Sequence, residues 1–171
     1  YFDKSFKESQ TRNYTLTIQL WLKGLVFTIY YPDKNKFIGV ESYIFSDIET
    51  AEQLPSYLGQ VLNNRHSFAF PYGSVFRMFQ NKFSTLIPEP LFSENHKNLY
   101  LGFNQPFQEN SRIVFDRLKN NQAVNIYYLP NFVVEKAKDF WANVKLLHFS
   151  TALIETLSIN FKNKVDKKTL F

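Results

Sequence analysis

The chain has 171 residues, enough to bury a substantial core as one domain or two small lobes, and no cysteine, which excludes disulfides, thiolate metal sites and a cysteine nucleophile. Aromatic residues make up 18% of it, with 19 phenylalanines, so a well-packed core is expected, with disorder only at Tyr1 to Asn13 and Lys162 to Phe171. The net charge of +5 is spread over scattered lysines that cluster only at Lys162, Lys164, Lys167 and Lys168, which argues against a nucleic-acid footprint. In chain order, Tyr14 to Leu22 alternates, with Leu16, Ile18, Leu20 and Leu22 on one face and Thr15, Thr17 and Gln19 on the other. Lys23-Gly24 turns the chain, Leu25 to Tyr31 returns it, Pro32 to Asn35 turns it again, and Phe37 to Phe45 completes a three-stranded antiparallel meander.

Ser46-Asp47-Ile48-Glu49 then reads as a capping box. Pro55 either opens a second helix or kinks one, and Leu54, Tyr57, Leu58, Val61 and Leu62 have helical spacing toward the sheet. Ser74 to Phe79 and Phe83 to Ile87 predict two strands, after which Pro88-Glu89-Pro90 blocks ladder bonding and allows a short helix from Leu91. A further strand is expected at Leu99 to Phe103, followed by a strand pair at Arg112 to Leu118 and Ala123 to Leu129. Beyond Pro130, the stripe Phe132, Val133, Ala137, Phe140 and Trp141 predicts a helix. Leu146 to Phe149 predicts a short strand, and Ser150 caps a last helix with Leu153, Ile154, Leu157 and Phe161. This order predicts an α/β domain with a mixed sheet.

Candidate chemistry is sparse. His66 and His96 lie in polar loops and His148 in an apolar strand, with no pair at metal-ligand spacing. Asp116 is the best isolated carboxylate, although Arg112 and Arg117 nearby suggest a surface ion pair. Glu89 reads as a loop carboxylate. The five glycines (Gly24, Gly39, Gly59, Gly73 and Gly102) never form a phosphate-binding pattern, and no serine sits in a nucleophile elbow. The phenylalanines at 68, 70, 76, 79 and 83 fall in or beside strands, where packing explains them better than base stacking. No catalytic, cofactor-binding or metal residue is assigned, and no cofactor is expected. No apolar run nears the roughly 18 residues of a membrane span, and no signal-peptide pattern opens the chain, so a cytoplasmic protein is expected.

Phe2 to Phe6, Tyr14 to Gln19 with Gly24 to Phe27, Asn81 to Phe92, and Ala123 to Pro130 together resemble the domain of unknown function 3822 family of Bacteroidetes. That family is similar in fold to the actin-like ATPases, so the resemblance implies an actin-like (ribonuclease-H-like) mixed sheet opening with the meander, helices packed on it. The stretch Ala123 to Leu157 also resembles the matching part of actin-like pilus-assembly proteins. In actin-like ATPases the first hairpin carries an Asp and a Gly that hold metal and phosphates. Here that stretch reads Gln19-Leu20-Trp21-Leu22-Lys23-Gly24, so no ligand residue carries over. The resemblance implies an N-terminal extension over 1–13, an actin-like lobe over 14–161 with an inserted subdomain around 74–122, and a basic tail over 162–171 leading to a second lobe.

The resulting expectation is a non-enzymatic interaction or assembly module that meets a protein partner, its own second lobe or a second copy through Leu153, Leu157 and Phe161. The alternative is half of a nucleotide-binding ATPase whose other ligands lie in that second lobe.

Overall fold

The computed structural model describes the chain except residues 51, 52, 65, 66, 68, 69, 141–145 and 162–171, and except the side chains of 136–140 and 161. The expectations for His66, Phe68, Trp141 and the basic tail, and for the side chains of Ala137, Phe140 and Phe161, fall outside the described residues. The chain divides into two compact units, one of Tyr1–Asn81 with Leu129–Leu147 and one of Lys82–Tyr128 with His148–Phe171.

The five-stranded sheet, which the first unit holds up to Leu147, is built on β1 (Thr15–Trp21), β2 (Gly24–Tyr31), β3 (Lys36–Ile44), β4 (Ser74–Gln80) and β8 (Leu146–His148), in the order β3-β2-β1-β4-β8. β1, β2 and β3 pair antiparallel as the expected meander, and β4 joins β1 in parallel. Parallel pairing needs a crossover, which runs through α1 (Leu54–Asn63). Because side chains alternate, one face of β1 and β2 buries Leu16, Ile18, Leu20, Leu25, Phe27 and Ile29. Leu22 does not join them. β1 ends at Trp21, and Leu22 is exposed in the turn.

α1 takes Pro55 in its first turn, where the missing N–H costs nothing, and buries Leu54, Leu58 and Leu62 at spacings of four. It packs against α3 (Asn131–Phe140), whose Val133 is buried. The capping box at Ser46 does not start this helix. Instead the Gln53 Oε1 accepts the Glu49 and Thr50 N–H groups at 2.8 and 3.2 Å.

The N-terminal residues are ordered, contrary to expectation, because they find partners on the outer edge of β3. Val40 N–H donates to the Tyr1 carbonyl at 2.9 Å and Asp3 N–H to the Ile38 carbonyl at 2.8 Å. Residues Glu8–Asn13 then form a 3-10 helix. Gly73 ends the segment that leads to β4, and any Cβ there would stand 2.1 Å from the Arg12 carbonyl oxygen, so only glycine fits.

The second unit holds a three-stranded sheet in the order β5-β7-β6, from β5 (Ser84–Pro88), β6 (Ser111–Leu118) and β7 (Ala123–Pro130). One face carries α2 (Lys97–Asn104), and Leu101, Val124, Ile126 and Tyr128 form its buried cluster with Phe83, Ile87, Phe92, Tyr100, Ile113 and Phe115 against it. The expected strand at Leu99 to Phe103 is therefore helix. α4 (Phe149–Phe161) packs against β6, and its Glu155 and Ser158 bond Asn120 and Asn121 in the β6–β7 turn.

Candidate functional site

The end of the first hairpin is where the actin-like resemblance would put phosphate and metal. β1 presents Thr15, Thr17, Gln19 and Trp21 on the face opposite its buried leucines. Gln19 Nε2 donates to Gln80 Oε1 of β4 at 2.8 Å, so the position of the missing acid is an amide tied to a neighbouring amide. Trp21 pairs across the hairpin with Gly24, and a Cβ on Gly24 would lie 2.3 Å from the indole Cζ2 and 2.6 Å from the Tyr43 carbonyl oxygen. The glycine is thus required by an indole and a strand backbone. An amide and an indole offer neither a carboxylate for metal-bound water nor a row of backbone donors for phosphate.

The second site is a polar network between β6, β7 and the start of α4. Asp116, expected at the surface beside arginines, is buried. Strand alternation sends Arg117 to the other face, where it pairs with Glu89 and lies over the Phe92 ring with its guanidinium carbon 5.5 Å from the centroid. Asp116 Oδ2 accepts the His148 backbone N–H and the Thr151 hydroxyl, each at 2.9 Å. The Tyr127 phenol donates to it as well, and burial first, then this carboxylate, push the phenol above its ordinary range. Asn125 Nδ2 donates to Thr151 Oγ1 at 2.9 Å and Ser150 Oγ at 3.0 Å, and its buried Oδ1 has no hydrogen-bond partner among the described residues.

His148 Nδ1 lies 2.7 Å from Ser150 Oγ, the length of a nucleophile–base pair. The same nitrogen accepts the Ser150 N–H at 3.2 Å. His148, rather than Ser150, therefore caps α4 by bonding the second residue of the helix. Asp116 accepts the histidine backbone N–H, a bond that fixes the main chain at the start of the helix. With Asp116 accepting from β7, the His148 backbone and Thr151, this network ties a helix to a sheet. His96 is exposed in a 3-10 turn, and no group of three His, Cys, Asp or Glu among the described residues could hold a metal.

Of the proposed contact residues, Leu153 is 45% exposed, Leu157 is half-buried, and the Phe161 side chain lies outside the described residues. Sequence periodicity missed a more exposed apolar group. Leu99 is 69%, Phe103 91% and Phe107 78% exposed, on α2 and the loop after it. The signal that could have found it is the stop Asn104-Gln105-Pro106, which ends a helix more naturally than a strand.

Among the described residues no helix is long and apolar enough to cross a membrane. No curated protein matches the chain. A crystal structure of a Bacteroides thetaiotaomicron protein with actin-like ATPase fold and unknown function aligns at TM-score 0.81 and 25% identity, over 92% of this chain and 60% of its own. The chain thus spans about 60% of the length of that structure. The cytoplasmic domain of EpsL, an inner membrane component of the type II secretion system of Vibrio cholerae, aligns at TM-score 0.45 and 14% identity, over 78% of this chain and 55% of its own. The mixed sheet with its opening meander and the Bacteroides neighbour give this chain the actin-like fold. The sequence profile of a protein family of unknown function, DUF3822, matches residues 3–171, and the chain belongs to that family.

Proposed function

We propose that this chain is a non-enzymatic assembly module on an actin-like lobe, acting in the cytoplasm through protein contacts. The observation that carries the reading is the end of β1, where Gln19 is spent on Gln80 and Trp21 covers Gly24. A lobe that gives up its phosphate position keeps the fold as a rigid platform, and function then rests on surfaces. Leu153, with Leu157 beside it on α4, is one such surface for a protein partner or a second lobe.

Titration calorimetry with Mg-ATP tests this. The expected result is no binding heat for the chain or for Gln19→Asp, because Trp21 still covers the glycine in that variant. Micromolar affinity of the chain for Mg-ATP overturns the reading.

A second reading, half of a nucleotide-binding ATPase, draws support from the neighbour, whose structure is longer than this chain. It requires Mg-ATP binding to appear in the longer protein alone, which thermal-shift titration of both would report.

A further inference from the structure

The side-chain bonds at the start of α4 determine one another. The Asp116 carboxylate can only accept, so the Thr151 hydroxyl, 2.9 Å away, spends its single proton there. Thr151 Oγ1 is left as an acceptor, so the Asn125 atom 2.9 Å from it is the amide nitrogen and not Oδ1. The same Nδ2 donates to Ser150 Oγ at 3.0 Å, which turns the Ser150 proton toward His148 Nδ1 at 2.7 Å. The Ser150 N–H points at that nitrogen too, at 3.2 Å. Two donors converge on Nδ1, which must present a lone pair, and the ring's own proton sits on Nε2. One buried carboxylate thus dictates, through Thr151, Asn125 and Ser150, the tautomer of a histidine that is 2% exposed.

We propose that His148 is a pH-sensitive latch on α4: a proton arriving on Nδ1 breaks the Ser150 cap and frees the first turn of the helix. A charged ring would turn an N–H toward the Ser150 N–H, two donors with no acceptor between them. Among the described residues the titratable groups beside the ring are the Asp116 carboxylate of β6 and the Tyr127 phenol of β7, whose ring centroid lies 4.7 Å from the imidazole. Asp116 offers the cation a counter-charge, so charging need not wait for unfolding. The phenol, raised above its ordinary range, stays neutral. Asn125, Ser150 and Thr151 do not titrate, whereas an imidazole changes charge between about pH 5 and 8. The cap is therefore whole while the ring is neutral and is lost as pH falls. Leu153, the exposed contact residue, stands within one turn of this cap. The latch thus rests on the reading of α4 as a contact surface and deepens it, because acid loosens the surface that the helix offers a partner.

Nitrogen NMR of the whole chain, isotope-labelled at histidine, tests the tautomer. The expected result at about pH 7.5 is a bare Nδ1 and a protonated Nε2 on His148. A ring that carries its proton on Nδ1, or is already charged, overturns the proposal. Amide exchange tests the latch, read as protection relative to an unfolded chain at the same pH. The Ser150 amide bonds the ring, and the Leu153 and Ile154 amides close the first turn of the helix. Their protection should fall at least about tenfold as the ring becomes charged between about pH 7.5 and 5, while β7 amides such as Ile126 keep theirs. His148→Asn supplies a cap that does not titrate, so protection of α4 in this variant should not depend on pH over that range. If the variant does not fold, the native chain decides alone. A ring still neutral at about pH 5, protection that survives its charging, a loss equal in α4 and β7, or a pH dependence that persists in His148→Asn each overturns the proposal. The Mg-ATP titration reads the assembly-module assignment and these measurements read the latch, so either can fail alone.

Discussion

The two faces of β7 are held in different ways. On one, Val124, Ile126 and Tyr128 meet Leu101 of α2 in an apolar cluster. On the other, Asn125 and Tyr127 sit in the network of Asp116, His148, Ser150 and Thr151 that anchors α4. Apolar contact has no direction, so α2 can be short and leave a bare apolar outer surface without weakening what it does bury. Hydrogen bonds fix one register. Thr151, Glu155 and Ser158 of α4 all find partners on β6, β7 or their turn, and the helix spends polar groups inward while Leu153 and Ile159 stay exposed. The cost is visible in Asn125, whose buried Oδ1 has no partner among the described residues. The apolar face should therefore dominate stability, and the polar face should decide where α4 docks.

Truncation on the apolar face should have the largest effect. Ile126→Ala removes most of a fully buried side chain and should cost about 4 kcal/mol in urea unfolding, since transfer and cavity contributions add. Asp116→Ala comes second. It strands the Tyr127 and Thr151 hydroxyls and the His148 N–H and should cost about 3 kcal/mol. Its distinguishing signature is faster amide exchange confined to the first turns of α4. A larger loss for Asp116→Ala than for Ile126→Ala would reverse the comparison.

The same contrast explains what the sequence could disclose. The meander was legible because Leu16, Ile18 and Leu20 alternate with Thr15, Thr17 and Gln19, and burial follows that pattern. α1 was legible for the same reason, through Leu54, Leu58 and Leu62. α2 was not. Leu99, Leu101 and Phe103 read as one buried strand face, whereas the helix turns Leu101 inward and the other two outward, a pattern that periodicity cannot recover when exposed residues are apolar. Asp116 was misplaced because its partners lie more than thirty residues away in His148 and Thr151, while the arginines beside it in sequence point elsewhere. Apolar periodicity is local in sequence and polar pairing is not. That is why the fold could be read and the site could not.

Tyr127 sharpens the comparison through pH. Burial and then Asp116 raise its phenol above the ordinary value near 10, so the folded state holds a proton that the unfolded state releases. The stability this contributes is whole below about pH 10 and is lost as pH rises toward the folded value. Unfolding midpoints should fall above pH 10, and Tyr127→Phe should flatten that fall while costing about 1 kcal/mol at neutral pH for the lost hydrogen bond. Ultraviolet titration checks it directly, since this phenol should ionise only as the protein unfolds. A Tyr127 that titrates normally in the folded state would mean that the network is open to water.

The smallest effect should come where polar pairing acts without burial. Asp3 accepts the Lys36 ammonium at 2.7 Å, the Ser5 hydroxyl at 2.7 Å and the Ser5 N–H at 2.9 Å, fastening the N-terminal residues to the edge of β3. The Lys36 bond first, then Ser5, hold its carboxyl well below the usual carboxylate range. A depressed value means stability that is present above the unfolded value near 4 and lost as pH falls through the folded one. Solvent screens this pair, unlike Asp116, so Asp3→Asn should leave the global unfolding midpoint where it is. What it should change is local. The Asp3 and Val40 amides, which bond the Ile38 and Tyr1 carbonyls, should lose protection against exchange, relative to an unfolded chain at the same pH, in Asp3→Asn at neutral pH and in the native protein as pH drops below about 4. High salt should produce part of the same change, because it screens an exposed pair and leaves the Asp116 network untouched. If Asp3→Asn instead lowers the global midpoint as much as Tyr127→Phe does, the N-terminal segment is part of the core, and hydrogen bonds hold this fold as firmly at its surface as inside it.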